Sequence, residues 1–167
     1  MKESRSVEIL KNAILLEKRG KAFYGKVAQQ TKNKPTREFF QMMADEEEQH
    51  IRLLSDQFKT FNDNGRFNSK CSIEKPGERI ASSVFTDDIT KKINAASFEA
   101  AAVSAAMSME ERAIRLYSER GKTAKDPQEK ALYRWLAQWE TEHLEMLSKI
   151  DRELTETIWN DNSFWPF

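Results

Sequence analysis

Cysteine and histidine are scarce in this chain of 167 residues, which contains one cysteine and two histidines. The single thiol, Cys71, excludes an internal disulfide and any metal site built from four thiolates. Glycine and proline are also few, at 5 and 4 residues, whereas residues that favour helices are abundant. No apolar run approaches the roughly 20 residues that span a membrane, and the first 20 residues carry too many charges for a signal peptide.

Neither sign of charge is in excess, because acidic and basic residues number 27 each. The balance gives no indication of a nucleic-acid partner. A chain of this length is large enough to bury one core. We therefore expect one soluble, cytoplasmic, all-helical domain over residues 1–167, with neither nucleic acid nor membrane as a partner.

Four stretches of the sequence have the apolar periodicity of amphipathic helices. They cover about residues 7–31, 35–61, 97–121 and 127–154, and leave a C-terminal tail at 155–167. Short breaks at Pro35 and Pro127 make the helices of each pair antiparallel neighbours. The connector over residues 62–96 is long enough to return along the bundle, and could carry a short helix near Ile89. The pattern predicts an all-α, antiparallel four-helix bundle with a long crossover between helices 2 and 3.

Polar residues interrupt the inward faces of all four predicted helices. Each histidine follows a glutamate by three residues, one helical turn along the same face. In each half of the chain another glutamate lies 30 residues before that pair, and the halves repeat at an offset of 93 residues. Because the midpoint of each 30-residue interval falls in a turn, the six side chains should meet at one level of the bundle: Glu17, Glu47, His50, Glu110, Glu140 and His143.

Four carboxylates inside a dry core repel each other, and burying each one costs several kcal/mol unless it is compensated. The inward faces carry no lysine or arginine that could do so. Two divalent cations would neutralise four carboxylates, with one imidazole for each cation. Carboxylate and imidazole ligands suit iron or manganese, whereas thiolates are expected at a structural zinc site. The alternative is a structural bundle with a polar layer, in which the carboxylates simply satisfy the histidines.

Four segments of the chain resemble rubrerythrins and the wider ferritin-like superfamily of di-iron carboxylate proteins. They are "LLEKRGKAFY" at 15–24, "DEEEQH" at 45–50, "MEERAIRLY" at 109–117 and "WETEH" at 139–143. The resemblance spans about residues 7–154 and implies a ferritin-like fold with two iron ions, or manganese in their place. It also implies a role for each ligand: Glu47 and Glu140 bridge the metals, Glu17 and His50 complete one, and Glu110 and His143 complete the other.

Several other side chains allow two interpretations. Tyr24 and Tyr117 could hydrogen-bond ligands on neighbouring helices or fill the core as aromatic rings. For Trp135 and Trp139 we favour packing over electron transfer. The apolar tail "SFWPF" at 163–167 is expected to dock on its own bundle or across a dimer.

Two departures from rubrerythrin bear on the expected function. The chain lacks the four cysteines of a rubredoxin domain, and Ala113 stands where rubrerythrin has an additional glutamate. The resemblance implies a di-iron oxidoreductase, active against oxidative stress, that reduces hydrogen peroxide or oxygen. Its electrons would come from an external protein such as a rubredoxin, and the family suggests a homodimer. The alternatives are a ferroxidase or iron-handling protein of the bacterioferritin type, and a non-catalytic metal-binding bundle.

Overall fold

Four long helices make up most of the structure, a computed structural model that describes residues 4–68, 89–91, 93 and 97–160. They are α1 (Arg5–Gln30), α2 (Lys34–Asn64), α3 (Phe98–Thr123) and α4 (Pro127–Asn160). α1 packs along α2, α3 packs along α4, and α1 also contacts α3. The predicted all-α four-helix bundle is therefore confirmed. None of the described helices has the apolar length that crossing a bilayer requires.

Local hydrogen bonds explain where the second helix of each pair begins. At the start of α2, Asn33 Oδ1 accepts from the backbone N–H of Thr36 at 3.1 Å. At the start of α4, Asp126 Oδ1 accepts from the N–H groups of Gln128 and Glu129 at 2.7 and 3.2 Å. These side chains satisfy donors that the first turn of a helix leaves free. Each pair is thus a tight antiparallel hairpin of helices.

Two helices continue beyond their predicted ends. α2 runs to Asn64 rather than residue 61, and ends at Gly65, whose φ of 66° is the left-handed conformation that favours glycine. α4 runs to Asn160 rather than residue 154, so the first part of the predicted tail is helical. The inward apolar pattern stops at Leu154, but neither glycine nor proline follows until Pro166. A solvent-facing extension of the helix is therefore allowed.

Part of the prediction falls outside the described residues. Residues 69–88 of the connector and residues 161–167, with the "SFWPF" segment, are not described. The long crossover and the docking of the tail therefore stay predictions. Within the connector, Ile89 and Thr90 are helical, and Ile93 N–H donates to Ile89 O at 3.1 Å. Ile89 is fully buried in the core.

The apolar core is divided into two clusters by a polar layer halfway along the bundle. One cluster lies toward the α1–α2 turn and includes Val27, Phe40 and Ile150. The other lies toward the α3–α4 turn and includes Leu10 and Leu136. Each fully buried side chain of this size contributes about 1.5–3 kcal/mol. The two clusters shield the layer between them from solvent at both ends.

A buried ion pair within the second hairpin, near the α3–α4 turn, contacts α1 through Ser6. The Arg120 guanidinium donates to both carboxylate oxygens of Glu129, each at 2.8 Å. Arg120 Nη2 also donates to Ser6 Oγ at 3.0 Å, and Ser6 in turn donates to Glu129 at 3.2 Å. Glu129 is an acidic residue in the first turn of α4. The structure shows that it also holds the start of α1 against the second hairpin.

Candidate metal centre

The polar layer contains all six side chains that the sequence predicts as metal ligands. α1 and α3 each contribute one glutamate, and α2 and α4 each contribute a glutamate and a histidine from successive turns of one face. All six are at most 3% exposed: Glu17, Glu47, His50, Glu110, Glu140 and His143. The inward phasing that interrupts the apolar faces thus brings both halves of the chain to one buried site.

His50 faces three carboxylates through one ring nitrogen. Its Nδ1 lies 2.9 Å from Glu140 Oε1, 3.3 Å from Glu17 Oε2 and 3.4 Å from Glu47 Oε2. Ligand atoms of these four residues lie within 4.8 Å of one another. A single cation could therefore be held by this first set.

His143 faces a second set of carboxylates in the same way. Its Nδ1 lies 3.0 Å from Glu140 Oε2, 3.6 Å from Glu110 Oε1 and 3.8 Å from Glu47 Oε1. Ligand atoms of these four residues also lie within 4.8 Å of one another. Glu47 and Glu140 belong to both sets, which is the arrangement expected of carboxylates that lie between two metal ions.

The hydroxyl groups of Tyr24 and Tyr117 each contact a carboxylate of the opposite hairpin. Tyr24 on α1 donates to Glu110 Oε1 on α3, and Tyr117 on α3 donates to Glu17 Oε1 on α1. Both tyrosines are fully buried and also stack on aromatic rings, Tyr24 on Phe40 and Tyr117 on Tyr133. They therefore combine the two interpretations that the sequence left open.

Burial and mutual repulsion oppose the ionisation of three of the four glutamates. Burial raises the pKa of Glu110 to about 8, and the negative charge of Glu140 contributes to this rise. Burial and the charge of Glu140 also raise the pKa of Glu17, and they raise that of Glu47 well above its usual value. Without metal ions, these raised pKa values favour the protonated forms of the three carboxyl groups.

The histidines and Glu140 shift in the direction that favours their charged forms. Burial alone would lower the pKa of His50, but the negative charge of Glu140 raises it well above the usual value. His143 shows the same balance, because the nearby carboxylates of Glu110, Glu140 and Glu46 raise its pKa. Burial would raise the pKa of Glu140, whereas the positive charges of His50 and His143, both close to it, lower it. Glu140 is therefore the carboxylate that stays ionised most readily.

The donor atoms of the layer fit a pair of metal ions. Both oxygens of Glu140 and Nδ1 of His143 are buried without a hydrogen-bond partner among the described residues. Although His50 Nδ1 lies only 2.9 Å from Glu140 Oε1, the approach lacks hydrogen-bond geometry. Buried polar atoms are nearly always paired, so unpaired atoms that face one another indicate a missing cation. Two divalent cations would neutralise the four carboxylates.

A small cavity lies beside the carboxylates, between α1 and α3. Its walls include Gly20, Tyr24 and Ala113, and it has about 10 Å³ of room for the centre of a water-sized molecule. A Cβ at Gly20 would lie 3.3 Å from Glu47 Cδ, closer than ordinary van der Waals contact. The small side chains at positions 20 and 113 thus keep space open next to the site.

Glu46 is a site residue that the sequence analysis missed. Its Oε2 lies 2.7 Å from His143 Nε2 and accepts from Trp139 Nε1–H at 2.8 Å. Burial would raise the pKa of Glu46, but the hydrogen bonds with His143 and Trp139 and the positive charges of the two histidines together outweigh burial, and the pKa is lowered. A usable signal was present, because a ligating histidine needs an acceptor for its second ring nitrogen. Glu46 lies next to a predicted ligand in an acidic run.

Trp135 and Trp139 pack against the other histidine. The ring centroids of His50 and Trp139 are 4.8 Å apart, and those of Trp135 and Trp139 are 4.7 Å apart. Packing was the interpretation favoured from the sequence, and this geometry agrees with it. Trp139 has a second role that the sequence did not indicate, since its indole N–H donates to Glu46.

Comparison with known proteins gives one match. The family model described as Rubrerythrin matches residues 8–151, which include most of each of the four helices and all six clustered side chains. No curated protein matches the chain, and no solved structure matches it either. On the strength of the family match, which extends over most of its length, the chain belongs to the rubrerythrin family.

Proposed function

We propose that the cluster holds two iron ions and that the chain is an oxidoreductase reducing hydrogen peroxide or oxygen. The observation that carries this proposal is the pair of buried ligand sets that share Glu47 and Glu140. Two metal ions held between common carboxylates suit two-electron chemistry on a small molecule. The cavity between α1 and α3 supports the proposal, since it adjoins the carboxylates and has room for about one water-sized molecule.

The proposed reaction consumes two electrons and two protons for each molecule of hydrogen peroxide, which leaves as two molecules of water. A bound ferrous pair supplies the two electrons. Tyr24 lines the cavity together with Glu110 and holds a proton on its hydroxyl oxygen, which donates to the Glu110 carboxylate. Tyr117 fixes the orientation of Glu17, and the apolar clusters above and below keep bulk water out.

The proposal includes a separate protein as the source of electrons. A single cysteine cannot build the four-thiolate iron site of a rubredoxin, so a small external electron-transfer protein such as a rubredoxin would re-reduce the iron. A homodimer, a cytoplasmic location and a role in oxidative stress complete the proposal. These three elements rest on the family resemblance and on composition.

Rapid mixing of the anaerobic, ferrous-loaded protein with hydrogen peroxide tests the proposal. We expect ferric absorbance within seconds and two iron ions oxidised for each molecule of peroxide. Glu48→Gln is a matched control, because Glu48 neighbours Glu47 but pairs at the surface with Lys21. This variant should react like the parent protein. Iron that stays bound and ferrous after mixing would show that the proposed reaction is wrong.

A ferroxidase or iron-handling function is the second candidate. It is favoured by Ala113, because without an acid at this position the site has the six-ligand set typical of bacterioferritin. Repeated cycles of ferrous addition and oxidation distinguish the two functions. An oxidoreductase keeps two iron ions per chain and remains a small oligomer in light scattering, whereas an iron-storage protein accumulates many ferric ions inside a large shell. Binding of two metal ions without any oxidation would instead favour a non-catalytic metal-binding bundle.

A further inference from the structure

The two histidines of the metal centre differ in what lies behind them. Both turn Nδ1 toward the carboxylates, so Nε2 of each ring points away from the cluster. His143 Nε2 lies 2.7 Å from Glu46 Oε2. His50 Nε2 is buried and has no hydrogen-bond partner in the part of the chain that the structure describes. The imidazoles therefore have the same role at the centre but different support.

The sequence explains this difference. Glu46 directly precedes Glu47 on α2, and the residue that directly precedes Glu140 on α4 is Trp139. α4 thus offers an indole where α2 offers a carboxylate. The indole cannot accept a hydrogen bond from His50, because its N–H is a donor only. It donates to Glu46 instead, at 2.8 Å, and so helps to hold that carboxylate against His143.

A carboxylate behind an imidazole changes how well the ring binds a metal. It keeps the proton on Nε2, leaves the lone pair of Nδ1 free for the cation, and makes the ring more basic. Loss of such a partner usually lowers metal affinity by about 10–100-fold. His143 has this support from Glu46, whereas His50 has no such partner among the residues that the structure describes.

We propose that Glu46 makes the two metal positions unequal, so that the position of Glu110 and His143 binds its cation more tightly than that of Glu17 and His50. Glu46 is a positioning residue in this scheme, since it acts through His143. The inference rests on the metal pair of the proposed function but not on its reaction. One cation would be held firmly, and the other would be the one that exchanges.

Titration of the metal-free protein with Co²⁺ tests the inference without any turnover. We expect the absorbance and the heat of binding to show two steps, with affinities about 10–100-fold apart. In crystals grown with one equivalent of Co²⁺, anomalous scattering should place the ion beside His143. Two equal affinities, or a first ion beside His50, would overturn the inference while leaving the proposed reaction untouched. Failure to bind any Co²⁺ would overturn both.

Two variants show whether Glu46 causes the difference in affinity between the two metal positions. Glu46→Gln keeps an acceptor of the same shape but removes the charge, so it should weaken the first step about tenfold or more and leave the second nearly unchanged. Trp139→Phe is the matched comparison, because it removes the indole N–H that helps to hold Glu46 but keeps the carboxylate itself, so its effect on the first step should be smaller than that of Glu46→Gln. It should keep two separated steps. Equal weakening of both steps by Glu46→Gln would show that Glu46 has only a structural role.

Discussion

In the first hairpin Glu17, Tyr24, Glu47 and His50 face the centre, and in the second hairpin the same four residue types occupy the equivalent positions. The two tyrosines even make reciprocal hydrogen bonds to the carboxylates of the opposite hairpin. The two hairpins differ, however, at positions within three residues of the ligands. Position 46 is an acid and position 139 an indole, while position 20 is glycine and position 113 alanine.

The turns of the two hairpins differ as well. Arg120 and Glu129 form a buried ion pair near the second turn, whereas the equivalent positions of the first hairpin are Val27 and Thr36. The comparison shows which positions must carry the same residue type in both hairpins. Neutralising two cations requires four carboxylates at the centre, but the residues around the ligands can differ between the hairpins.

Removing both shared carboxylates should have the largest effect, because it affects the two halves equally. In Glu47→Ala/Glu140→Ala each ligand set loses two of its four members, so we expect bound metal to fall from two ions per chain to none. Elemental analysis after dialysis against limiting metal measures this. In Glu110→Ala only the set that contains Glu110 loses a ligand, and one ion should remain. Two ions retained by the double variant would contradict the assignment of shared ligands.

Variants of Tyr24 and Tyr117 test whether the hydrogen bonds to the ligands contribute equally to metal affinity in the two halves. Tyr24→Phe frees Glu110 and Tyr117→Phe frees Glu17 from one hydrogen bond. We expect each variant to weaken one metal position by about tenfold, the lower end of the effect of such supporting groups. Co²⁺ titration of both variants measures the effect. Tyr133→Phe is the control, because the Tyr133 hydroxyl has no hydrogen-bond partner among the described residues.

The cavity is lined by the small residues in which the halves differ. A larger side chain in Ala113→Val should fill space beside the carboxylates and slow the reaction with peroxide by several-fold, with two metal ions still bound. Rapid mixing and metal analysis together separate the two effects. Gly25→Ala is the control for altered helix propensity in α1, because a Cβ at Gly25 meets nothing within 4 Å. An unchanged rate in Ala113→Val would show that peroxide enters elsewhere.

The smallest expected effect is on the pH dependence of stability. The pKa of Glu110 is raised to about 8, so the folded metal-free protein holds a proton that the unfolded chain releases above its ordinary value of 4.5. The pKa values of His50 and His143 are raised as well. Because the folded state binds more protons, the free energy of unfolding should fall as pH rises from 6.5 to 9.

Calorimetry of the metal-free protein measures this loss, which we expect to lower Tm by several degrees, at about 2–4 °C per kcal/mol. With bound cations in place of the protons, the slope should reverse, and the stabilisation by metal should grow with pH. Comparing Glu17→Gln with Glu110→Gln sharpens the contrast between the halves. A metal-free Tm that rises over this pH range would contradict the proposed protonation.

The helices and the six clustered residues could be predicted because their signals are local and repeated. Periodicity fixed the inward faces, and the spacing about each turn placed the glutamates at one level. The end of α2 was misjudged although Gly65 marks it. The end of α4 was misjudged because its last turns face solvent and show no apolar pattern.

Glu46 and the Arg120–Glu129 pair could not be identified in the same way. Each depends on which side chain of another helix lies opposite, and the sequence does not give the relative rotation of packed helices. The cavity beside Gly20 depends equally on that rotation. Such features follow from the three-dimensional packing rather than from any pattern along the chain.

The sharing of Glu47 and Glu140 has a mechanical consequence. Each set takes three side chains from one hairpin and one from the other, so a cation in either set is a cross-link between distant parts of the chain. Like other cross-links that close long loops, it restricts the unfolded chain more than the folded one. Binding of metal should therefore make the two hairpins harder to separate and the protein more resistant to proteolysis. Stripping the metal would remove these cross-links and leave the apolar clusters and the tyrosine hydrogen bonds to hold the two hairpins together.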